Sequence, residues 1–313
     1  MINQFSSPLR KNTSTFSFTL GNKAGGIMPS SSASSAAGFS DASFQEWRDL
    51  IYELSGIYFQ DNKKYLLESR LQKRISYLNL GTFEKYYEYV KSGPNRKNEL
   101  KYLFEVITIN ETFFFRNQPQ LDALVTTVVP ALLESNGRVN KNKLRIWSAA
   151  SSSGEEAYSV AMVIWEMLRP KYPGLTLEII GTDINYAVLE TARSGIYKEY
   201  SIRNTPPYYL KKYFKQDGNT WEVIPDIKRL VTFKELNLTD DAGMKMMTGF
   251  DIIFCANVLI YFDTKSKIKV INSLYNSLNR DGYLFIGYSE TLHGISKAFK
   301  LVSFPKTIGY KKE

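Results

Sequence analysis

The chain has 313 residues and carries 40 Lys and Arg against 31 Asp and Glu, a formal net charge of +9. That length can hold two domains and a sizeable core, and 43% hydrophobic with 23% charged residues reads as globular rather than disordered or fibrous. Cys255 and His293 are the only residues of their kinds, so an intrachain disulfide, a zinc site built from His and Cys, and a Cys–His or Ser–His catalytic pair are not expected, and a reducing cytoplasm is the natural compartment.

No apolar run approaches the ~18 residues that a membrane-spanning helix needs. Leu121–Leu133 comes nearest and contains Pro130, and the N-terminus lacks a signal-peptide core. The basic charge attracts acidic partners without naming them. Nucleic acid, anionic lipid and an acidic protein surface all stay open on charge alone.

In chain order, residues 1–40 are rich in Ser, Gly and Ala, with Pro29-Ser-Ser-Ser-Ala-Ser-Ser-Ala-Ala showing no hydrophobic period. Such a stretch is expected to be a flexible tail. From Phe44 to about Phe104 the pattern is helical: Trp47, Ile51 and Leu54 recur at helical spacing, as do Leu67, Leu71, Ile75 and Leu78. Thr82 is placed to cap the next helix, and Ser92-Gly93-Pro94 breaks the chain again. Residues 41–115 therefore read as a small helical bundle.

From residue 116 to 313 strands alternate with helices. Strand candidates are Leu144–Trp147, Leu177–Ile180, Val231–Phe233, Phe250–Phe254 and Tyr283–Ile286, and helical stretches Ala157–Leu168, Tyr186–Ser194 and Lys265–Leu278 lie between them. This order predicts an α/β domain with a mostly parallel, Rossmann-like sheet. Lys300–Phe304 and Lys306–Tyr310 can add an antiparallel edge. The polar, aromatic stretch from about 197 to 233 reads as an insertion carrying a short helix and a small β-hairpin.

Four segments carry chemistry. In Ile146-Trp-Ser-Ala-Ala-Ser-Ser-Ser-Gly-Glu-Glu-Ala-Tyr158 a strand ends in a loop of small residues that lets a ligand approach the backbone. Glu155 and Glu156 then open a helix where a pyrophosphate site would need a bare N-terminus. They disfavour an anionic ligand and accept a cationic group; equally, they can be ordinary first-turn glutamates facing the helix dipole. Asp183, in Gly181-Thr-Asp-Ile184, can accept two ribose hydroxyls or cap the helix that follows. Phe250-Asp-Ile-Ile-Phe-Cys-Ala-Asn-Val-Leu-Ile-Tyr-Phe262 brings Asn257 and Tyr261 to the carboxyl edge of the sheet. Asn110-Glu-Thr-Phe-Phe-Phe-Arg116 interleaves polar groups with buried aromatics at the domain join, and such groups need partners.

Together with Gly287-Tyr-Ser-Glu290, these segments resemble, in order and spacing, the CheR family of bacterial chemotaxis receptor methyltransferases, over about residues 42–311. The resemblance implies transfer of a methyl group from S-adenosylmethionine to glutamate carboxylates of a chemoreceptor, leaving S-adenosylhomocysteine. It implies that Asn110, Thr112 and Arg116 cover the cofactor, that Glu155 holds its amino group and that Asp183 takes the ribose. Asn237 and Leu238 would flank the adenine and Asn257 and Val258 would close the far side, with Arg116 and Tyr261 nearest the transferred methyl.

The resemblance also implies that a basic helix docks on the acidic helical bundle of the receptor. If Lys63–Leu78 is one helix, Lys63, Arg70, Lys73 and Arg74 project within a sector of roughly 100°; read from charge alone, this is a solvated face. A cytoplasmic bacterial monomer follows, with no metal, no bound nucleic acid and no membrane insertion. Two positions depart from the family pattern: Ala256 where Arg often precedes the Asn, and Tyr288 where His is frequent. The other readings are a nucleic-acid methyltransferase and a non-catalytic sensor of the cofactor.

Overall fold

A computed structural model describes residues 38–135 and 142–313. The expected flexible tail, 1–40, lies almost wholly outside the described residues. Helices α1 (Asp41–Ser55), α2 (Lys64–Leu78), α3 (Phe83–Ser92) and α4 (Arg96–Ile107) form the bundle. Ser40 caps α1 by accepting the N–H of Ser43, and Thr82 caps α3 by accepting that of Lys85. The apolar stripe of α2, Leu67, Leu71 and Ile75, is fully buried against Trp47, Ile51, Tyr86 and Leu103. Lys63 precedes α2 rather than belonging to it, closing a single tight turn at Asp61–Lys63.

Helices α5 (Gln118–Ala123) and α6 (Val129–Glu134) lead into the sheet, and α7 (Glu155–Met167), α8 (Tyr186–Ser194), α12 (Asp241–Lys245) and α13 (Thr264–Ser277) cover it. Its seven strands are β1 (Lys143–Ala149), β2 (Thr176–Asp183), β6 (Val231–Glu235), β7 (Phe250–Cys255), β8 (Leu278–Ile286), β9 (Phe299–Phe304) and β10 (Thr307–Lys312). They lie in the order β6-β2-β1-β7-β8-β10-β9. The first five run parallel, and β10 and β9 close the edge as an antiparallel pair. Alternate residues feed the two faces: Leu144, Ile146, Ile252 and Phe254 enter one core, and Trp147, Ala149, Ile253 and Cys255 the other. Strand order reverses between β1 and β7, and the crevice outside their carboxyl ends is where open α/β sheets bind ligands.

The insertion is larger than a helix and a hairpin. It holds β3 (Ile196–Lys198), α9 (Glu199–Ile202), α10 (Pro207–Tyr213), β4 (Phe214–Asp217), β5 (Thr220–Val223) and α11 (Pro225–Lys228), with β3-β5-β4 forming an antiparallel sheet. Val231–Phe233 belongs to the main sheet, pairing with β2. A three-residue strand such as β3 is too short to show a period of two, which hides it from sequence reading. Phe114 clamps the insertion to the α/β core, meeting Tyr197 and Phe214 edge-on at 4.8 and 4.9 Å.

Candidate functional site

The turn after β1 is shaped by its small residues. Ala150, Ser152 and Gly154 all take left-handed backbone angles, φ 60°, 52° and 92°, and the Ser151 N–H donates to Thr182 O at 2.7 Å. Gly181 lets the neighbouring strand approach, because a Cβ there would lie 2.6 Å from the Phe233 ring. The Ser152 N–H donates to Asp183 Oδ2 and the Asn185 N–H to Oδ1, both at 2.9 Å. Asn185, not Asp183, caps α8, accepting the N–H groups of Ala187 and Val188. Asp183 is therefore free of capping, buried at the strand end, and burial pushes its carboxyl above the usual range while the backbone donors oppose the shift.

A cavity of about 770 Å³ opens at this edge, within the range typical of small-molecule sites, ~300–1,000 Å³. Asn110, Thr112, Arg116, Asp183, Asn237, Leu238, Asn257, Val258 and Tyr261 all line it, as do Lys63 and Arg70. Glu155 does not. Its carboxylate accepts the Ser153 hydroxyl at 2.7 Å, facing Ser201 and Arg203 of the insertion. Glu156 lines the cavity instead, accepting the Ser148 hydroxyl at 2.7 Å. Consecutive helical residues point ~100° apart, so only one of the two glutamates can face the ligand. Burial pushes the Glu156 carboxyl up to about 7, against the lowering effects of Ser148 and Arg116.

Lys73 and Arg74 also lie away from the cavity. Lys73 is exposed. Arg74 is not a surface residue: its guanidinium forks onto the buried Glu99 carboxylate at 2.8 and 2.7 Å, and the Tyr86 hydroxyl donates to the same group at 2.9 Å. Arg70, expected on the outward basic face, is half-buried in the cavity wall and donates to Ile107 O.

Two further side chains have local employment. The Asn237 amide donates to Leu54 O at 2.7 Å and accepts from the Thr239 N–H and hydroxyl at 3.0 and 2.8 Å. It joins the end of α1 to the α/β half. The Asn110 amide donates to the Thr108 hydroxyl, which also receives the Asn185 amide, both at 2.9 Å.

The helical bundle supplies one wall of the cavity through Ser55 and the residues that follow it. Gly56 turns the chain at φ 73°, where a Cβ would collide with Thr239 Cγ2 at 2.5 Å. Ile57 pairs with Phe262 in an antiparallel bridge, and the Tyr58 N–H donates to Tyr261 O at 2.9 Å. Arg70 and Arg116 both lie near enough to Tyr261 to act on its hydroxyl electrostatically, although burial still raises that group. Glu290 ties down the loop after β7, accepting the N–H groups of Gly287 and Asn257. Sequence reading gave Glu290 no role beyond its place in the Gly-Tyr-Ser-Glu match, assigned the amino-group contact to Glu155 rather than Glu156, and missed the 56–60 wall.

The residues fit a nucleoside bearing a cationic tail: a buried, uncapped carboxylate at the end of β2, a second carboxylate facing the cavity from the first turn of α7, and apolar walls between them. Among the described residues no group of His, Cys, Asp and Glu is placed to hold a metal ion, and no helix is long and apolar enough to cross a membrane.

Comparison with known proteins identifies the family. The family model described as the CheR methyltransferase all-alpha domain matches residues 42–108, and that of the CheR methyltransferase SAM binding domain matches residues 110–308. Chemotaxis protein methyltransferase 2 of Vibrio cholerae is 37% identical over 275 residues, covering 87% of this chain and 93% of that protein. A chemotaxis protein methyltransferase of Borreliella burgdorferi is 37% identical over 246 residues, covering 78% and 86%. Among solved structures, magnesium protoporphyrin IX methyltransferase from Synechocystis aligns at 15% identity with a TM-score of 0.34, covering 72% of this chain and 94% of that one. The two family matches fall on the helical bundle and on the sheet-bearing half that together enclose the cavity, and the chain belongs to the CheR family of S-adenosylmethionine-dependent chemotaxis methyltransferases.

Proposed function

We propose that this protein esterifies glutamate side chains on the helical bundle of a chemoreceptor, with S-adenosylmethionine as methyl donor and Arg116 and Tyr261 at the point of transfer. The observation that carries the reading is the placement of Tyr261 within electrostatic reach of two guanidiniums, Arg70 and Arg116, on the wall of a cavity that also holds Asp183 and Glu156.

When bound, the cofactor supplies an electrophilic methyl on a sulfonium. Asp183 accepts its ribose hydroxyls, and Glu156, in place of Glu155, receives its amino group. Leu238 and the backbone of Asn237 flank the adenine, while Asn257 and Val258 close the far side and Asn110 and Thr112 cover it. A glutamate carboxylate is already ionised at neutral pH, so the reaction needs no general base. Arg116 orients that carboxylate, the Tyr261 hydroxyl hydrogen-bonds it, and the bundle wall at Ile57–Phe59 excludes water.

Both walls of the cavity come from one chain, so a monomer is complete. The lone, buried thiol of Cys255 suits the cytoplasm. The test is methyl transfer from radiolabelled cofactor to receptor-enriched membranes. Label that mild base releases as methanol is the expected result, and base-stable label or none would overturn the reading.

A further inference from the structure

Lys63, Arg70, Arg116 and Lys267 are the cations that line the cavity. Among the described residues none of them has a carboxylate within ion-pair distance. The cavity's own carboxylates are engaged elsewhere: Asp183 by backbone N–H groups, Asp263 by Ser266 and Tyr52, Glu156 by Ser148, and Glu111 by Tyr200 and Arg203. The wall thus holds four cations and four carboxylates, and among the described residues no ion pair joins the two sets.

Lys267 is the least explained of the four. Its neighbour along α13, Lys269, meets Asp241 at 3.0 Å and donates to Thr239 O at 2.8 Å. Lys267 lines the cavity half-buried, and among the described residues no carboxylate lies within ion-pair distance of it. It stands one turn after the helix's N-cap carboxylate, Asp263, whose oxygens are taken by the Ser266 N–H and the Tyr52 hydroxyl. No contact among the described residues employs the Lys267 ammonium, and an incoming carboxylate would.

On the reading of an acidic receptor as substrate, we infer that Lys267 is a substrate-binding residue. Its ammonium receives a carboxylate of the receptor segment beside the glutamate being methylated. It does so from the α/β side of the cavity mouth, as Lys63 does from the helical side. The receptor is then gripped by both halves of the enzyme, and a carboxylate flanking the target glutamate becomes part of its specificity.

The test is steady-state methylation of receptor-enriched membranes by the full chain, with S-adenosylhomocysteine binding measured by calorimetry. Lys267→Glu should raise the KM for receptor about tenfold or more, as loss of a close charge pair does. Its kcat and product affinity should stay within twofold, and Lys267→Arg should restore most of the loss. Lys265→Glu, the same charge change on an exposed neighbour that does not line the cavity, should leave KM within twofold. An unchanged KM in Lys267→Glu overturns the assignment, as does an equal rise in Lys265→Glu or a loss confined to product affinity. Wild-type transfer to the receptor is measured in parallel: its absence refutes the proposed function, whereas its presence with an unaffected Lys267→Glu refutes only this inference.

Discussion

The Glu290 carboxylate accepts the Asn257 N–H at 2.9 Å and the Gly287 N–H at 2.7 Å through one oxygen, and the Ile260 N–H at 3.3 Å through the other. Asn257 holds φ at 61°, a left-handed conformation that Asn tolerates better than most residues. One carboxylate from the loop after β8 thus fixes the loop after β7, which carries Val258 and Tyr261. Charge-assisted hydrogen bonds contribute ~1.5–3 kcal/mol. Glu290→Ala should lower the melting temperature by several degrees, weaken S-adenosylhomocysteine binding and cut kcat more than it raises receptor KM. A variant with normal turnover would show that the loop holds itself.

Asp183 and Asn185 divide two tasks that one residue at a strand end could have shared. Asn185 caps α8, so Asn185→Ala should cost ~1 kcal/mol of stability with a smaller change in cofactor affinity. Asp183→Ala should weaken calorimetric binding by ~1.5–3 kcal/mol, because the ribose hydroxyls lose a charged acceptor. Equal affinity in wild type and Asp183→Ala would return Asp183 to a purely structural role in holding Ser152 and Asn185.

Glu156 supplies a pH dependence whose sign can be worked out. Its folded carboxyl titrates near 7 against an ordinary value of 4.5, so without ligand the folded state binds more protons than the unfolded one across that window. Its contribution to stability therefore falls as pH rises from about 4.5 through 7. Binding runs the other way, since a cationic amino group needs the ionised form. Affinity for S-adenosylhomocysteine should rise about tenfold between about pH 6 and pH 8. Glu156→Gln should bind weakly and flatten that slope, while Glu155→Gln, turned away from the cavity, should keep it. A slope that survives in Glu156→Gln would move the titrating group elsewhere.

The alternation of strands and helices was legible because each strand is apolar and short, and the edge pair at Lys300–Tyr310 because the chain ends in two such runs. The site segments were legible because small residues, a strand-end carboxylate and a polar turn each interrupt an apolar pattern. What sequence could not resolve is direction. Glu155 and Glu156 are adjacent and alike, and which one meets the ligand depends on how α7 sits on the sheet. Asn237 reads as a ligand contact, yet its amide is committed to Leu54 and Thr239, 183 positions away and two positions away. Arg70 and Arg74 stand one turn apart on a basic helix, yet one lines the cavity and the other pairs with Glu99, 25 residues downstream.

That last difference separates the basic residues of α2 into three experiments. Arg74 and Glu99 form a buried pair, 10% and 3% exposed at the side chain, with Tyr86 bonded to the same carboxylate. Removing one partner of such a pair costs ~3–5 kcal/mol, because the remaining charge is buried without compensation. Arg74→Ala should therefore lower the melting temperature sharply, and any loss of activity should track unfolding. Lys73 is exposed and, among the described residues, touches neither the cavity nor a carboxylate, so Lys73→Glu should melt normally and bind cofactor normally. It should raise receptor KM, with an effect that shrinks as salt screens the attraction. Arg70 lines the cavity near Tyr261, so Arg70→Ala should lower kcat as well as receptor affinity. Thermal melts, calorimetry and receptor kinetics on the three variants check the division. A Lys73→Glu enzyme with unchanged receptor KM at low salt would make this helix a solvated face rather than a docking surface, leaving recognition to the cavity mouth alone.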